Sequence, residues 1–383
     1  MSRVYLDHNA SSPLRPEARE AMLAAMETCG NPSSIHAEGR RARAILESAR
    51  ETVAAVMGVS ARDVTFTSGG TEAANGALSP RARFNGWPAQ ILLFGATEHA
   101  CVLTGHGFAS ESVAPLSVNG SGLADLDELE TRLKETHGSG AVIAVQAANN
   151  ETGVLQPAKT VADMVHGAGA ATVCDAVQMI GRAPVDAAAL GADIILLSGH
   201  KFGGPKGVGA MLANADTVQI NPIVRGGGQE RGRRAGTENV AAIAGFAAAL
   251  ETAARSAAAF GAFALSTQKT LEAGLRGICP HVVIFGEDAP RLPNTICFAA
   301  PGLAAETLLM AFDLEGVAVS SGSACSSGKV SASHVLAAMG VAPELARCAI
   351  RVSTGWTTTD ADIERFLQVW EKIYTRLRAR AAA

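Results

Sequence analysis

DIILLSGHKFGGPKGVG, residues 193–209, decides how the rest of the chain is read. A short apolar run, Ile194 to Leu197, lies between Gly191 and Gly199 and reads as a buried strand. It ends in Ser198, then His200 and Lys201, then a glycine-rich turn and a return strand, Val208–Leu212. Open α/β sheets bind their ligands at the carboxyl ends of the strands, and Lys201 stands there. A free lysine has a pKa of roughly 10.4 and is a poor nucleophile at neutral pH. Held as a Schiff base it becomes chemically useful. Most lysines are solvated surface groups. Ser198 and His200, both able to hydrogen-bond a phosphate, favour a site instead.

Outward from this stretch, strand signals recur with a helix after most of them. Val64–Thr67 runs into Ser68, Gly69, Gly70 and Thr71 and then the helical EAANGAL. A strand, a glycine turn and a helix start make an anion site, because backbone N–H groups converge there with the helix dipole. An ordinary tight turn has the same sequence, and neither a Walker A loop nor GxGxxG is present. Ile91–Gly95 ends in Thr97, Glu98 and His99; an imidazole there can stack on a flat ring or be structural. Ala141–Ala147 ends in Asn149, Asn150 and Glu151, whose amides suit a carboxylate or a turn cap. Ala171–Cys174 ends at Asp175, with Gln178 three residues on. A carboxylate at the mouth of a buried strand is expensive unless paired. A protonated pyridinium nitrogen is a suitable partner, and so is a helix N-terminus capped by the aspartate.

This alternation, through about residue 215, implies a mostly parallel sheet covered on both faces. Pro16–Thr28 and Glu38–Met57 read as helices, the second stopped by Gly58. Val4–Leu6 is a short run fit for an edge strand. Leu126–Glu135 and Ala158–His166 are helical. The basic, glycine-rich RGGGQERGRRAGTE, residues 225–238, reads as a flexible loop or a phosphate- and subunit-contacting segment. An Ala-rich helix follows over Asn239–Arg255. The pattern changes at 257–262, which places a domain boundary there. The expected division is a large domain over 15–257 and a smaller α+β domain from 1–14 and 258–383. The smaller one has helices near Leu265–Leu275, Ala304–Phe312 and Ala361–Leu377, and strands near Val282–Phe285, Thr295–Phe298 and Ala349–Val352.

Composition narrows the function classes. With 383 residues, 48% hydrophobic and 18% charged, the chain has enough core for two domains. Aromatics are only 4%, so Ala, Val, Leu and Ile must fill that core. A net charge of -4 points to neither nucleic acid nor an anionic membrane. No uninterrupted run reaches the roughly 18 apolar residues of a membrane span. The first residues carry Asp7 and His8 too early for a signal-peptide core, and a reducing cytoplasm is the expected home. Seven cysteines, far apart and without a CxxC pair, support neither a zinc site nor a disulfide framework. Those at 29, 101, 174, 279, 297 and 348 are expected to pack. Cys325 differs, because eight of the twelve residues of VSSGSACSSGKV, 319–330, are Ser, Gly or Ala. Such a loop is expected to be exposed and mobile, able to carry a thiolate to a substrate.

Together these motifs resemble the cysteine desulfurases of the NifS and IscS group, in the class-V aminotransferase family of fold-type I pyridoxal-phosphate enzymes. The resemblance rests on YLDHNA at 5–10, GNPSSIH at 30–36, FTSGGTEAAN at 66–75, TEH at 97–99 and NNETG at 149–153. It rests also on the Asp175/Gln178 pair, SGHK at 198–201, GGGQERGRRAGTEN at 226–239 and SSGSAC at 320–325. It implies a large, mostly parallel sheet of the seven-stranded type, a smaller α+β domain with the cysteine loop at about 319–333, and pyridoxal 5'-phosphate as cofactor. Lys201 would hold the cofactor and move the Cα proton, Asp175 would pair with the ring nitrogen, Gln178 would bond the phenolic oxygen, and His99 would stack on the ring. Gly70, Thr71, Ser198 and His200 would hold the phosphate, with Thr237 reaching in from the second subunit of a homodimer. Asn150 and Arg351 would bind the carboxylate of L-cysteine. Cys325 would take the sulfur as a persulfide, leaving L-alanine, and pass it to an iron–sulfur scaffold or another acceptor protein. No intrinsic metal is implied, only transient ligation of an iron–sulfur cluster by Cys325 with a scaffold. Selenocysteine lyase, aminotransferase and non-catalytic sulfur relay are the competing readings. Ser326, Ser327 and Lys329–Ser331 depart from the family's usual residues, and Lys329 adds a cation expected to favour the thiolate.

Overall fold

The computed structural model describes residues 3–136, 140–321 and 333–381. Its large sheet has seven strands: β1 Val64–Thr67, β2 Ile91–Gly95, β3 Val113–Leu116, β4 Ala141–Gln146, β5 Ala171–Asp175, β6 Ile194–Ser198 and β7 Gly209–Ala213. Their spatial order is β1-β7-β6-β5-β4-β2-β3. Only β7 runs against its neighbours, pairing antiparallel with β1 and β6. The remaining ladders are parallel.

Alternate residues of each central strand enter different cores. In β6, Ile195 and Leu197 join one cluster, while Ile194 and Leu196 join another on the opposite face. The same split sends Ile143 and Val145 of β4 one way and Val142 and Ala144 the other. A sheet buried on both faces reads as a continuous apolar run, and so these strands do. Helices α1 Pro16–Met26 and α2 Ala37–Met57 contribute to the first cluster and α3 Gly70–Ala77 to the second.

The second sheet is antiparallel. Its strands are β8 Val283–Ile284, β9 Thr295–Ala299, β10 Ser320–Ser321 and β11 Ala349–Ser353, in the order β8-β9-β11-β10. Its core stacks Phe298, Phe312, Phe366 and Trp370. The cores of the large sheet carry aromatics too, Phe66, Phe202 and Phe246 on one face and Phe84, Phe94 and Phe108 on the other.

Two expectations change. The helices expected on either side of 257–262 are one helix, α4, Val240–Ile278. Its first half, Ala242 to Ala253, packs in the large core, and Leu271 and Leu275 pack in the small one. The change of pattern marks a change of neighbours, not a break in the backbone. By length and a mean hydropathy of 1.2, α4 would also suit a bilayer, but half of that window is buried within the protein. Val4–Tyr5 joins neither large ladder as an edge; it pairs in parallel with Val317–Ala318.

Gly209 opens β7 where that strand passes the turn after β1. A Cβ there would lie 2.6 Å from the Gly69 carbonyl carbon and 2.7 Å from the Leu197 oxygen, both backbone atoms that cannot rotate away. Gly209→Ala is therefore expected to lower the unfolding free energy by about 1–3 kcal/mol, the usual cost of overpacking. Denaturant titration measures this, and an unchanged midpoint would contradict so close an approach.

Candidate active site

The carboxyl ends of β1, β2, β4, β5 and β6 open into one cleft of about 560 Å³. It is lined by Gly70, Thr71, His99, Asn150, Asp175, Gln178, Ser198, His200 and Lys201. These residues lie far apart in sequence. They meet because parallel strands all deliver their following loops to the same edge of the sheet.

Lys201 sits on the single helical turn after β6. Its Nζ donates to the carbonyls of Asn9 at 2.7 Å and Ala10 at 3.1 Å. Burial, followed by the charges of Arg351 and Arg182, brings its pKa down to about 7, with Asp175 and Asp7 opposing. The amine is thus largely available as a nucleophile or base near neutrality. Asp175 closes β5 and accepts from the Val177 N–H at 2.9 Å. Burial raises its pKa, while that backbone bond, His99 and Lys201 pull it down. Such a carboxylate is suited to a cation placed in the cleft.

His99 caps the short helix after β2, accepting from the Cys101 N–H at 3.2 Å through Nδ1. Burial lowers its pKa; Asp175 opposes this, and Lys201 and His334 reinforce it. His200 is brought to about 4 by burial and then by Lys201, Lys206 and Arg182, so it is neutral at pH 7. Its Nδ1 lies 3.4 Å from Ser11 Oγ.

The glycine turn after β1 faces the same space. A Cβ on Gly70 would lie 3.2 Å from Val177 Cγ2 and 3.4 Å from Ser198 Cβ, so the turn is pressed against the ends of β5 and β6. Gly69 precedes α3 with no side-chain cap, leaving first-turn N–H groups for an anion.

Arg351, on β11, adjoins the cleft through Asn150. It donates to the Asn150 carbonyl at 2.9 Å and to Asp7 Oδ1 at 2.8 Å. Its Nε is buried with no hydrogen-bond partner among the described residues. A guanidinium with an unused N–H beside a cleft is ready for a carboxylate. Thr237 is exposed and lies outside the cleft of its own chain. Cys325 and Lys329 fall outside the described residues.

Four groups escaped the sequence reading. Arg182 is buried and ties the site together: it donates to the Gln178 carbonyl at 2.7 Å, to Gln178 Oε1, to the His8 carbonyl at 3.2 Å and to the Lys201 carbonyl at 3.3 Å. Burial, then Arg351, lowers its pKa to about 9. Glu98 is buried behind His99 and accepts from the Gln146 N–H at 2.5 Å. Burial and then the charge of Asp175 hold its pKa well above the ordinary range. Glu72 lines the cleft from the first turn of α3. Cys101 does not simply pack, as expected, but lines the cleft with Sγ 3.1 Å from His99 Nδ1. Cys29 is exposed and does not pack either. Only the TEH and GTE spellings pointed near Glu98 and Glu72; nothing local marked Arg182.

This architecture, a mostly parallel seven-stranded sheet with a lysine and an aspartate at adjoining strand ends, is that of a pyridoxal-phosphate enzyme. The family described as aminotransferase class-V matches residues 4–366, and the chain belongs to that family. Within it, the similarities run to cysteine desulfurases over the full length. The chain is 40% identical over 386 residues to the cysteine desulfurase of Cereibacter sphaeroides, covering 99% of this chain and 97% of that one. It is 38% identical over 389 residues to the cysteine desulfurase IscS of Dictyoglomus turgidum, covering 98% and 95%. The X-ray structure of a NifS-like protein from Rickettsia africae matches with a TM-score of 0.87 at 35% identity, over 97% of this chain and 99% of that one.

The residues fit pyridoxal 5'-phosphate: an amine of lowered pKa for the aldehyde, a carboxylate for the ring nitrogen and a glycine turn for the phosphate. Only the neutral amine attacks an aldehyde, so raising the pH through the Lys201 pKa activates it. The rate at which apo-protein takes up pyridoxal 5'-phosphate, followed by absorbance, is expected to rise to half its maximum near pH 7. A midpoint near roughly 10.4, that of an ordinary lysine, would show that the cleft does not perturb Lys201.

Proposed function

We propose that the chain is a cysteine desulfurase: it removes sulfur from L-cysteine, releases L-alanine and carries the sulfur as a persulfide on Cys325. The observation that carries this reading is the meeting of Lys201, Asp175, His99 and the Ser68–Thr71 turn in one cleft, with Arg351, whose Nε has no partner among the described residues, bonded to Asn150 at its edge. Full-length similarity to proteins named cysteine desulfurase supports the substrate.

When bound, pyridoxal 5'-phosphate supplies the electron sink that makes the substrate Cα acidic. The rest is the work of this chain. Asp175 would pair with the ring nitrogen, and Gln178 would bond the phenolic oxygen. Gly70, Thr71, Ser198 and His200 would hold the phosphate. His99 would lie against the ring. Asn150 and Arg351 fix the substrate carboxylate, and Asp7 keeps the guanidinium turned toward it, 2.8 Å away. Lys201, about half neutral at pH 7, removes the Cα proton and gives a proton back to Cα only after the sulfur has left. Cys325 thiolate then attacks the substrate sulfur. An S–S bond forms, the Cβ–S bond breaks, and its electron pair stays on Cβ, which takes up a proton equal to the one the Cys325 thiol gave up, so that the carbon skeleton leaves as alanine.

Homodimerisation belongs to the same proposal. One stretch of chain exposes Leu23 at 56%, Met26 at 63% and Ile35 at 90%, an apolar surface that a second copy would cover. Thr237, exposed here, would then reach the phosphate of the other copy. The sulfur acceptor is an iron–sulfur scaffold or another sulfur-accepting protein, in a reducing cytoplasm.

Among the described residues, Cys101 is the only cysteine lining the cleft. Burial, then Asp175 and Glu98, push its thiol to about 12, which keeps it protonated and unreactive. Alanine release from L-cysteine with a reductant is therefore expected to fall at least about a hundredfold in Cys325→Ala. It should stay within about threefold of wild type in Cys101→Ala, since the thiol there is inert. Equal release by wild type and Cys325→Ala would overturn the assignment of the nucleophile.

A further inference from the structure

Glu72 is an odd neighbour for a phosphate. It stands in the first turn of α3, lines the cleft, and its Oε2 accepts the Ser68 N–H at 2.8 Å. The carboxylate thus brings a negative charge to the turn that the reading above gives to the phosphate, and engages one of its donors. Alone it would repel a phosphate through a partly desolvated path. It is not alone: Arg234 Nε donates to Glu72 Oε1 at 3.0 Å. Burial of the carboxyl favours its neutral form, but Arg234 and Ser68 outweigh that, and its pKa is lowered on balance. The pair is therefore ionic, with no net charge left facing the turn.

Arg234 comes from the loop 225–238, and that loop is held with unusual firmness. Arg50, buried in α2, makes a two-pronged pair with Glu230, at 2.8 and 2.7 Å. Glu230 Oε2 also accepts the Phe66 N–H at 2.8 Å, on the strand that leads into the glycine turn. Glu230 and Arg231 both adopt left-handed backbone, with φ of 48° and 57°. Side-chain-bearing residues hold such conformations only where their surroundings over-determine them. Arg233 donates to the Arg62 carbonyl at 3.3 Å, and the Ala235 N–H to the Val224 carbonyl at 3.0 Å, on either side of Arg234. One loop is thus fastened both to the strand before the glycine turn and to the helix after it.

We propose that Arg234 is a positioning residue that sets specificity for a phosphorylated cofactor: by neutralising Glu72 it keeps the Ser68–Thr71 turn receptive to a phosphate dianion. This rests on the reading that places the cofactor phosphate at that turn.

The test compares equilibrium binding of pyridoxal 5'-phosphate and of pyridoxal to the full-length apo-protein, read by the visible absorbance of bound cofactor. Arg234→Ala is expected to weaken pyridoxal 5'-phosphate about tenfold or more and pyridoxal by no more than about twofold, because only the phosphate feels the bared charge. Glu72→Gln should bind pyridoxal 5'-phosphate at least as tightly as wild type. The double variant should return to within about twofold of Glu72→Gln, and Arg234→Lys should recover part of the loss. Equal weakening of both ligands by Arg234→Ala, or none, would overturn the proposal. So would weaker phosphate-ligand binding in Glu72→Gln, a conservative change that carries the test if Arg234→Ala does not fold. Thr71→Ala separates the two levels. If it too treats both ligands alike, the phosphate is not at this turn; if it discriminates and Arg234→Ala does not, only the role of Arg234 fails.

Discussion

A sheet buried on both faces leaves polar chemistry nowhere to go but the ends of its strands. The apolar side chains of the central strands, odd and even, enter one core or the other. Ser198, Asp175 and the residues just past β2 and β4 are the first positions where a charge or a hydrogen-bonding group meets open space. Because the strands run parallel, those positions share one edge. The site follows from the sheet, and substitutions that disturb strand ends act on the chemistry through the fold.

The same burial tunes the groups it gathers. Lys201 is lowered by desolvation and by two arginines, Glu98 is raised by desolvation and by a carboxylate, and His200 is kept neutral. None of these effects needs a bound molecule. The cleft is built with an amine of lowered pKa and a buried carboxylate, and beside it stands a guanidinium whose Nε has no partner among the described residues, an arrangement suited to an aldehyde, a pyridinium and a carboxylate. Arg182 links these groups mechanically, since one guanidinium bonds the backbone of His8, Gln178 and Lys201. The loop 225–238 does the same from the other side of the glycine turn.

How much of this was legible from the residues depends on range. Turn glycines, strand-length apolar runs and the polar residues that end them are local, and the strands β1, β2 and β4 to β7 were readable with boundaries close to those observed. Residues at those boundaries, such as Asp175, Lys201 and His99, could be singled out for the same reason. Arg182, Glu98 and the Arg50–Glu230 pair could not, because each acts on a partner distant in sequence or owes its character to burial. Arg50 meets Glu230 across 180 positions. The unbroken α4 was missed because its one buried stripe, through Leu250, Ala253, Ala257, Ala264 and Leu271, runs on across the small-residue stretch at 257–262 that read as a boundary. Cys101 was misjudged because a cysteine beside a strand end looks the same whether it faces a core or a cleft.

By itself the amino-acid sequence determined the class of fold, a mostly parallel α/β sheet with a second, mixed layer, and the set of chemically active side chains at its strand ends. It could do so because strand and turn formation depend on near neighbours and on a period of two. The tertiary structure alone decided which of those side chains face one another, which charges cancel, and what protonation each group carries. Those properties depend on distance and dielectric, and both are set only when segments far apart in the chain are packed together.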